Sequence, residues 1–256
     1  MITSTGNTQI KNVINLIKKS GERRTHGLFV IEGIRMFEET PRNRIERIFA
    51  SESFIKKNGD LLEGLSYEAV SDKVYAYMSD TKSPQGIMAV VRMADTTLDD
   101  MLAGEGKKLF VVLENLQDPG NLGTIIRTAE GAGATGIIMS RDTVDVYNPK
   151  VIRSTMGALY RVPFVYVEDI LNATKILNAR NIATYAAHLD GAVVYTEADY
   201  TGDSAILIGN EGNGLTDGLA ALATNRIIIP MGGMLESLNA AVATAVILYE
   251  AARQRR

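Results

Sequence analysis

The sequence predicts an α/β protein in which a small N-terminal α/β module precedes a larger domain built on a mostly parallel sheet. Two observations predict it. Short apolar runs alternate with helical patterns along residues 109–252, as expected where crossover helices cover both faces of a parallel sheet. A charged, turn-rich stretch at residues 95–107 separates this region from the first, as linkers do. We therefore predict domains at 1–94 and 108–256.

The composition is that of a folded globular protein. Of the 256 residues, 46% are hydrophobic and 22% are charged, close to the average for such proteins. The absence of cysteine excludes disulfides, thiolate zinc sites and cysteine nucleophiles, and two histidines are too few for a histidine metal cage, so we expect no metal. The longest uncharged stretch near the C-terminus, Ser237–Tyr249, is shorter than a membrane span. With no apolar signal segment at the N-terminus, we expect no membrane association and a cytoplasmic location.

Charge is distributed unevenly along the chain. Residues 1–47 hold nine Lys and Arg against five acidic residues, a net charge of +4, so a total of −3 leaves the remainder at −7. A basic front on an acidic body favours contact with a polyanion such as RNA, although a solvated helix face would have the same composition.

The first region is predicted to begin with a helix, because apolar residues recur at helical spacing from Ile10 to Ile17 and the pattern ends at Gly21. Strands are predicted at 28–31, 47–50 and 86–92, and a helix at 34–39. In the second region, strands are predicted at 109–113, 137–140, 164–167, 182–187, 205–208 and 227–229, and helices at 121–132, 150–157, 169–179, 214–222 and 238–252. Ligands of such sheets bind at the carboxyl ends of strands, so the loops there are the candidate sites.

One glycine motif is misleading. Gly131, Gly133 and Gly136 match the G-x-G-x-x-G pattern of dinucleotide-binding proteins. That pattern must follow a strand and open a helix, whereas these glycines follow a predicted helix and precede a strand. We interpret them as a helix end and a turn, which argues against a dinucleotide-dependent oxidoreductase.

Three loops after predicted strands are better candidates. They span 114–127, 209–215 and 230–239, and all are rich in Gly and Asn, which allow the backbone to approach a ligand closely. Each polar residue also has a structural interpretation. Asn121 and Ser237 stand where helix N-caps belong, Glu211 is compatible with an ordinary charged loop residue, and Arg127 lies opposite the apolar stripe of its helix, where arginines are usually solvated.

Taken together, the three loops resemble the three motifs of the SpoU-type (TrmH-like) RNA ribose 2′-O-methyltransferases of the SPOUT superfamily. The first motif corresponds to 121–129, the second to 207–215, and the third to 229–231 with 237–239. The N-terminal module resembles, less specifically, the substrate-binding domain of members that modify ribosomal RNA. The resemblance implies a deep trefoil knot in the C-terminal domain, S-adenosylmethionine as cofactor, a homodimer, and an N-terminal RNA-binding domain.

The resemblance also implies roles for individual residues. By motif position, cofactor contacts are expected at Leu207, Ile208, Gly209, Ile229, Met231 and Leu238, largely through the backbone. The expected catalytic residues are Asn121, Arg127, Glu211, Ser237 and Asn239. A guanidinium is a poor base at neutral pH. We therefore expect Arg127 to hold a phosphate of the target nucleotide, with Asn121 and Asn239 orienting ribose and cofactor, and Ser237 and Glu211 shaping the pocket or handling the proton.

The resemblance specifies the type of RNA substrate less closely than it specifies methyl transfer to a ribose. The appended N-terminal module favours 23S (large-subunit) ribosomal RNA over transfer RNA. The alternative from another class is a non-catalytic RNA-binding protein that keeps the fold, but none of the five polar motif positions is lost.

Overall fold

The computed structural model describes residues 1–190 and 193–256. They form two compact units. The first comprises Met1–Asp95 together with Asp145–Tyr160, and the second comprises Thr96–Val144 together with Arg161–Arg256. Each unit has its own sheet and its own hydrophobic core. Among the described helices, none has both the length and the apolar character needed to cross a bilayer.

The first unit contains a four-stranded mixed sheet in the order β1-β4-β2-β3. Its elements up to residue 95 are α1 (Thr8–Lys18), α2 (Ser20–His26), β1 (Leu28–Glu32), α3 (Ile34–Glu39), β2 (Ile45–Ser51), α4 (Glu52–Asn58), β3 (Glu68–Val70), α5 (Asp72–Met78) and β4 (Ile87–Arg92). The elements predicted for this region are all present. The sequence reasoning missed α2, α4, β3 and α5, which are too short to show a clear hydrophobic period, although the N-caps Ser51 and Ser71 mark the starts of α4 and α5.

The second unit contains a seven-stranded sheet in the order β7-β6-β5-β10-β8-β11-β9, and its strand pairs are parallel. From residue 96 onward the elements are α6 (Leu98–Ala103), β5 (Leu109–Leu113), α7 (Pro119–Gly131), β6 (Gly136–Ser140), α8 (Pro149–Thr155), β7 (Phe164–Val167), α9 (Ile170–Ala179), β8 (Ala183–Ala187), β9 (Val193–Val194), β10 (Ser204–Ile208), α10 (Asp217–Leu222), β11 (Asn225–Ile228) and α11 (Ala240–Gln254). Of these, α8 belongs to the first unit. The predicted α/β class with a parallel sheet is confirmed.

The stretch predicted as a linker holds a helix. Thr97 and Asp100 form a capping box at the start of α6, the paired arrangement that satisfies two backbone donors at a helix start. Met101 and Leu102 of this helix are buried in the core of the second unit. The many charged and turn residues of this stretch predicted a linker, although it contains a short helix. The predicted domain boundaries stay a prediction.

The misleading glycines have the structural role assigned to them. Helix α7 ends at Gly131, Gly133 has a φ of +74°, and Gly136 is the first residue of β6. A positive φ just beyond a helix is the conformation that glycine adopts without steric cost. The interpretation as a helix end and a turn is confirmed.

One arginine of the basic front is unavailable to a polyanion. Arg23 is only 3% exposed, and its guanidinium binds Asp145 (Nε to Oδ2, 3.0 Å) and the carbonyl oxygens of Leu16 and Ile17. This buried ion pair lies within the first unit and fixes residues 145–160 to it. No local pattern could reveal a pairing across 122 positions.

The strand order determines where the loops lie. Strand β10 pairs with β5 on one side and β8 on the other, and β8 pairs in turn with β11. Because these strands are parallel, their carboxyl ends share one edge of the sheet. The loops that follow β5, β10 and β11 are the three loops singled out in the sequence.

Candidate active site

The first loop turns into α7 through a cap that the sequence reasoning misplaced. Asp118 is the N-cap of α7, and its carboxylate accepts a hydrogen bond from the Asn121 backbone N–H at 2.8 Å. Pro119 follows at the start of the helix, a position where its missing N–H costs nothing. Asn121 is therefore not the cap, and its side chain is free for another role.

Three of the five predicted catalytic residues meet through their side chains. Asn121 donates from Nδ2 to Glu211 Oε1 at 2.9 Å, and Asn239 donates from Nδ2 to Asn121 Oδ1 at 3.0 Å. The pairs are 90 and 118 positions apart. One chain of hydrogen bonds thus joins the three motif loops.

Asn239 also fixes the start of α11. Its Oδ1 accepts hydrogen bonds from the Ala241 and Val242 backbone N–H groups at 2.9 and 3.3 Å, the contacts of a helix N-cap. The cap of α11 is therefore Asn239, and the interpretation of Ser237 as the cap was wrong. Because Oδ1 is used in capping, Nδ2 is directed to Asn121.

Glu211 is held as a carboxylate. Its two oxygens accept hydrogen bonds from the backbone N–H groups of Gln117 and Asp118, at 3.1 and 2.9 Å, in addition to Asn121. Burial acts to raise the pKa of Glu211, but the hydrogen bonds from Asn121, Asp118 and Gln117 hold it below the ordinary value of 4.5. A carboxylate with a lowered pKa is a weak base, so this geometry supports the pocket-shaping role over proton transfer.

Gly209 is required by chain packing. A Cβ atom built on it would lie 2.0 Å from the Gly214 carbonyl carbon and 2.1 Å from the Leu215 nitrogen. The loop closes on itself at this point, where Asn210 and Gly214 exchange two backbone hydrogen bonds of 2.9 Å. This close backbone contact is sufficient to explain why the motif has glycine at position 209, without any contact to a ligand.

The other residues predicted to contact a cofactor differ in exposure. Leu207 and Ile208 are buried in β10, and the Leu207 side chain belongs to the core, so its predicted contact rests on the resemblance alone. Ile229, Met231 and Leu238 are partly exposed. Between the described residues, the backbone of residues 230–238 forms no hydrogen bond, which leaves its donors and acceptors available to a ligand.

The structure does not bring Arg127 or Ser237 into this hydrogen-bonded group. Arg127 is exposed on the face of α7 opposite the buried residues, as the helical period predicted. Its guanidinium, like the exposed Ser237 hydroxyl, has no hydrogen bond or ion pair within the part of the chain that the structure describes. Their catalytic roles stay predictions.

Sequence reasoning missed the residues that support this group. Gln117 and Asp118 bind Glu211 through backbone groups, which carry no side-chain signal, and Asn210 binds the Asn115 carbonyl oxygen at 2.8 Å. Only the run of Asn, Gln and Asp directly after β5 marked this segment as unusual. Searched over the described residues, the structure holds no cluster of three His, Asp or Glu side chains arranged for a metal.

Comparison with known proteins places the chain in a family. Residues 108–249 match the SpoU rRNA methylase family, and residues 7–89 match the MRM3-like substrate binding domain. The chain belongs to the SpoU rRNA methylase family. The 23S rRNA (guanosine(2553)-2′-O)-methyltransferase RlmP of Bacillus subtilis is 31% identical to it over 97% of both chains.

Solved SpoU structures agree with this assignment. The SpoU methyltransferase AviRb from Streptomyces viridochromogenes, crystallised with AdoMet, is 30% identical and covers 97% of this chain and 99% of its own, with a TM-score of 0.86. The TrmH/SpoU tRNA modifying enzyme of A. aeolicus, at 29% identity, covers 60% of this chain and 79% of its own, with a TM-score of 0.53. The predicted family, enzyme class and cofactor are confirmed: this SpoU protein is an S-adenosylmethionine-dependent methyltransferase.

Proposed function

We propose that this protein transfers a methyl group from S-adenosylmethionine to a ribose 2′-hydroxyl of 23S ribosomal RNA. The hydrogen-bonded chain from Asn239 through Asn121 to Glu211 carries the proposal, because it joins the three motif loops at the carboxyl edge of the sheet. A degraded site would favour a non-catalytic RNA-binding protein, but the polar positions are retained. The proposed location is the cytoplasm, where such RNA would be modified.

The choice of ribosomal RNA over transfer RNA has two supports. The relative RlmP, named for 23S rRNA, matches across both units, whereas the tRNA modifying enzyme covers 60% of the chain. The first unit also matches a substrate binding domain at residues 7–89. Four of its exposed basic residues, at positions 11, 18, 19 and 24 on or between α1 and α2, would give RNA affinity through phosphate contacts, without sequence choice.

The residues present fit the cofactor. Gly209 begins a loop whose backbone packs closely on itself. Residues 230–238 offer backbone N–H and C=O groups that bond to no other described residue. We propose that Gly209, Ile229 and Leu238 hold S-adenosylmethionine largely through such groups. Bound there, it supplies an electrophilic methyl group on a sulfonium, so the protein mainly positions and stabilises charge.

We assign the remaining roles as follows. Arg127 binds a phosphate of the target nucleotide and stabilises the alkoxide that develops at the ribose oxygen. Asn121 and Asn239 orient ribose and cofactor, and Glu211 anchors the Asn121 amide through the 2.9 Å hydrogen bond. Ser237 is exposed two residues before Asn239, and we assign its hydroxyl to pass the proton of the ribose 2′-hydroxyl on to solvent.

Assembly and chain path are proposed from the family resemblance. We propose a homodimer with the active site near the subunit interface. In support, α11 exposes two apolar side chains at heptad spacing, Val242 at 48% and Tyr249 at 52%, which lie on one helix face. A deep trefoil knot in the second unit is proposed on the same resemblance.

The test is methyl transfer to separated RNAs. Labelled S-adenosylmethionine is mixed with unmodified large-subunit rRNA, small-subunit rRNA or tRNA, and labelled nucleosides are identified. Label recovered as a 2′-O-methyl nucleoside from the large-subunit fraction alone is expected. Label in tRNA alone would overturn the substrate, and binding of cofactor with no transfer to free or partly assembled ribosomal RNA would overturn the activity.

A further inference from the structure

Asn115, the second residue after β5, connects three loops of the second unit. Its backbone has a φ of 54°, a left-handed conformation that Asn adopts more readily than most residues. Its N–H donates to Ser140 Oγ at 2.8 Å, and the same hydroxyl donates to Asn115 Oδ1 at 2.9 Å. This reciprocal pair ties the loop after β5 to the end of β6.

The Asn115 carbonyl oxygen extends the connection to the loop after β10. It accepts hydrogen bonds from Asn210 Nδ2 at 2.8 Å and from Gln117 Nε2 at 3.1 Å. Gln117 Nε2 also donates to the Asp142 carbonyl oxygen at 2.7 Å. Every polar group of the Asn115 backbone is therefore used to hold a neighbouring loop.

These contacts lie directly beside Glu211. The two backbone N–H groups that bind its carboxylate belong to Gln117 and Asp118, two and three residues after Asn115. Asn210, bound to the Asn115 carbonyl, is the residue before Glu211. Asn115 is thus connected both to the Glu211 carboxylate, through the neighbouring Asn210, and to the backbone donors of that carboxylate, which follow Asn115 in the chain.

We propose that Asn115 is a positioning residue for methyl transfer, which holds the Gln117–Asp118 amides and the Asn210–Glu211 segment in register. The inference rests on the proposed function and adds a residue outside the three motifs. Ser140, 7% exposed, and Thr143, 5% exposed, make the anchor rigid, since their hydroxyls lie 3.1 Å apart in the interior. A displacement of about 1 Å in such supports costs on the order of 100-fold in rate.

The test uses Asn115→Gly, because glycine keeps the left-handed backbone without strain and removes the Oδ1 bond from Ser140. That bond is one of the two that fix the Asn115 backbone, whose carbonyl oxygen holds Asn210 and Gln117. Asn181→Gly is the matched control, since Asn181 has a φ of 59° and is exposed just before β8. Asn115→Asp keeps an oxygen acceptor for Ser140 and tests rescue. For each full-length protein we would measure kcat, the KM for S-adenosylmethionine, and hydrogen exchange of the Gln117 and Asp118 amides.

We expect Asn115→Gly to lower kcat by about 10- to 100-fold, with the KM for S-adenosylmethionine within about threefold, and to speed exchange at both amides. Asn181→Gly should match wild type, and Asn115→Asp should recover most of the loss. Wild-type kcat or unchanged amide exchange in Asn115→Gly would overturn the inference, as would an equal loss in Asn181→Gly. If wild type itself transfers no methyl group, the proposed function fails, while the exchange data still decide the role of Asn115.

Discussion

At the scale of single residues, the candidate site combines a fixed carboxylate with an arginine that has no partner among the described residues. Glu211 receives three hydrogen bonds, whereas Arg127, on the same helix as Asn121, points away from the core without a bond to the described residues. Holding an arginine free has an entropic cost to any ligand that must order it, so its partner is expected to be a strong one, such as a phosphate.

The role of Arg127 is tested by Arg127→Ala. We expect the kcat for RNA methylation to fall at least 100-fold, because removing a charge-stabilising donor typically costs that much. The affinity for S-adenosylmethionine, measured by calorimetry, should stay within a few fold. Lys175→Ala, which removes another exposed cation from α9, is the control and should behave as wild type. Wild-type turnover of Arg127→Ala would remove Arg127 from the mechanism.

The pH dependence of Glu211 follows from its lowered pKa. A carboxylate whose pKa is lower in the folded than in the unfolded state stabilises the fold fully when the pH is above its unfolded-state pKa. This stabilisation is lost as the pH falls through the folded-state pKa. Because the folded pKa of Glu211 lies below 4.5, the Tm difference between wild type and Glu211→Gln should be constant from neutral pH to about pH 5. Below about pH 5, the Tm difference between the two proteins should become smaller.

Thermal unfolding of both proteins across this range provides the measurement. Glu250 also has a lowered pKa, about 2, caused by the hydrogen bond that it accepts from Arg253. The variant Glu250→Gln therefore provides a comparison with a carboxylate outside the candidate site. A Glu211→Gln difference that already decreases between pH 7 and pH 5 would contradict the assigned direction of the shift.

At the scale of elements, the entry to α7 serves both stability and the site. Asp118 caps the helix that carries Asn121, and Asp169 caps α9 in the same way. In each cap a carboxylate oxygen accepts a hydrogen bond from the backbone N–H three residues later, at 2.8 Å for Asp118 and 2.9 Å for Asp169. The caps are chemically alike, but only the first lies beside Glu211. They therefore separate a general loss of helix stability from a loss of site geometry.

We expect Asp118→Ala and Asp169→Ala each to lower the free energy of unfolding by about 1 kcal/mol, the usual effect of losing a cap. Only Asp118→Ala should also lower kcat, because it frees the helix start that orients Asn121. Urea denaturation and initial rates on the same preparations provide the comparison. Equal activity in the two variants would mean that the cap has no catalytic consequence.

At the scale of the whole molecule, the first unit is proposed to supply RNA affinity and the second the chemistry. Four exposed cations of the basic front lie on or between α1 and α2, namely Lys11, Lys18, Lys19 and Arg24, while Arg23 is engaged with Asp145. Replacing these four by Gln should weaken RNA binding and lower the salt dependence of binding by roughly three to four counterions. Cofactor affinity should be unchanged.

The matched control replaces four other exposed lysines of the first unit, Lys56, Lys57, Lys73 and Lys82, so that the change in net charge is identical. Filter binding of ribosomal RNA at several salt concentrations gives both the affinity and the slope. If the two sets weaken binding equally, only net charge matters, and the basic front is not an RNA contact surface.

How much could be predicted depended on the range of the interactions. The parallel sheet and the three loops follow from local periodicity and motif residues, which require only neighbours along the chain. The helix at 98–103 was missed because its signal is a cap and two buried residues. The caps at Asn121 and Ser237 were misassigned because several polar residues precede each helix, and only the backbone angles decide which of them caps it.

The sequence by itself determined the α/β class, the family and the edge of the sheet at which to look for the site. Only the tertiary structure decided which side chains meet there. Strand β10 lies between β5 and β8 although it follows both in the chain, so Asn121 contacts Glu211 across 90 positions and Arg23 contacts Asp145 across 122. Such contacts depend on strand order and burial, and neither is encoded in the spacing of residues along a single segment.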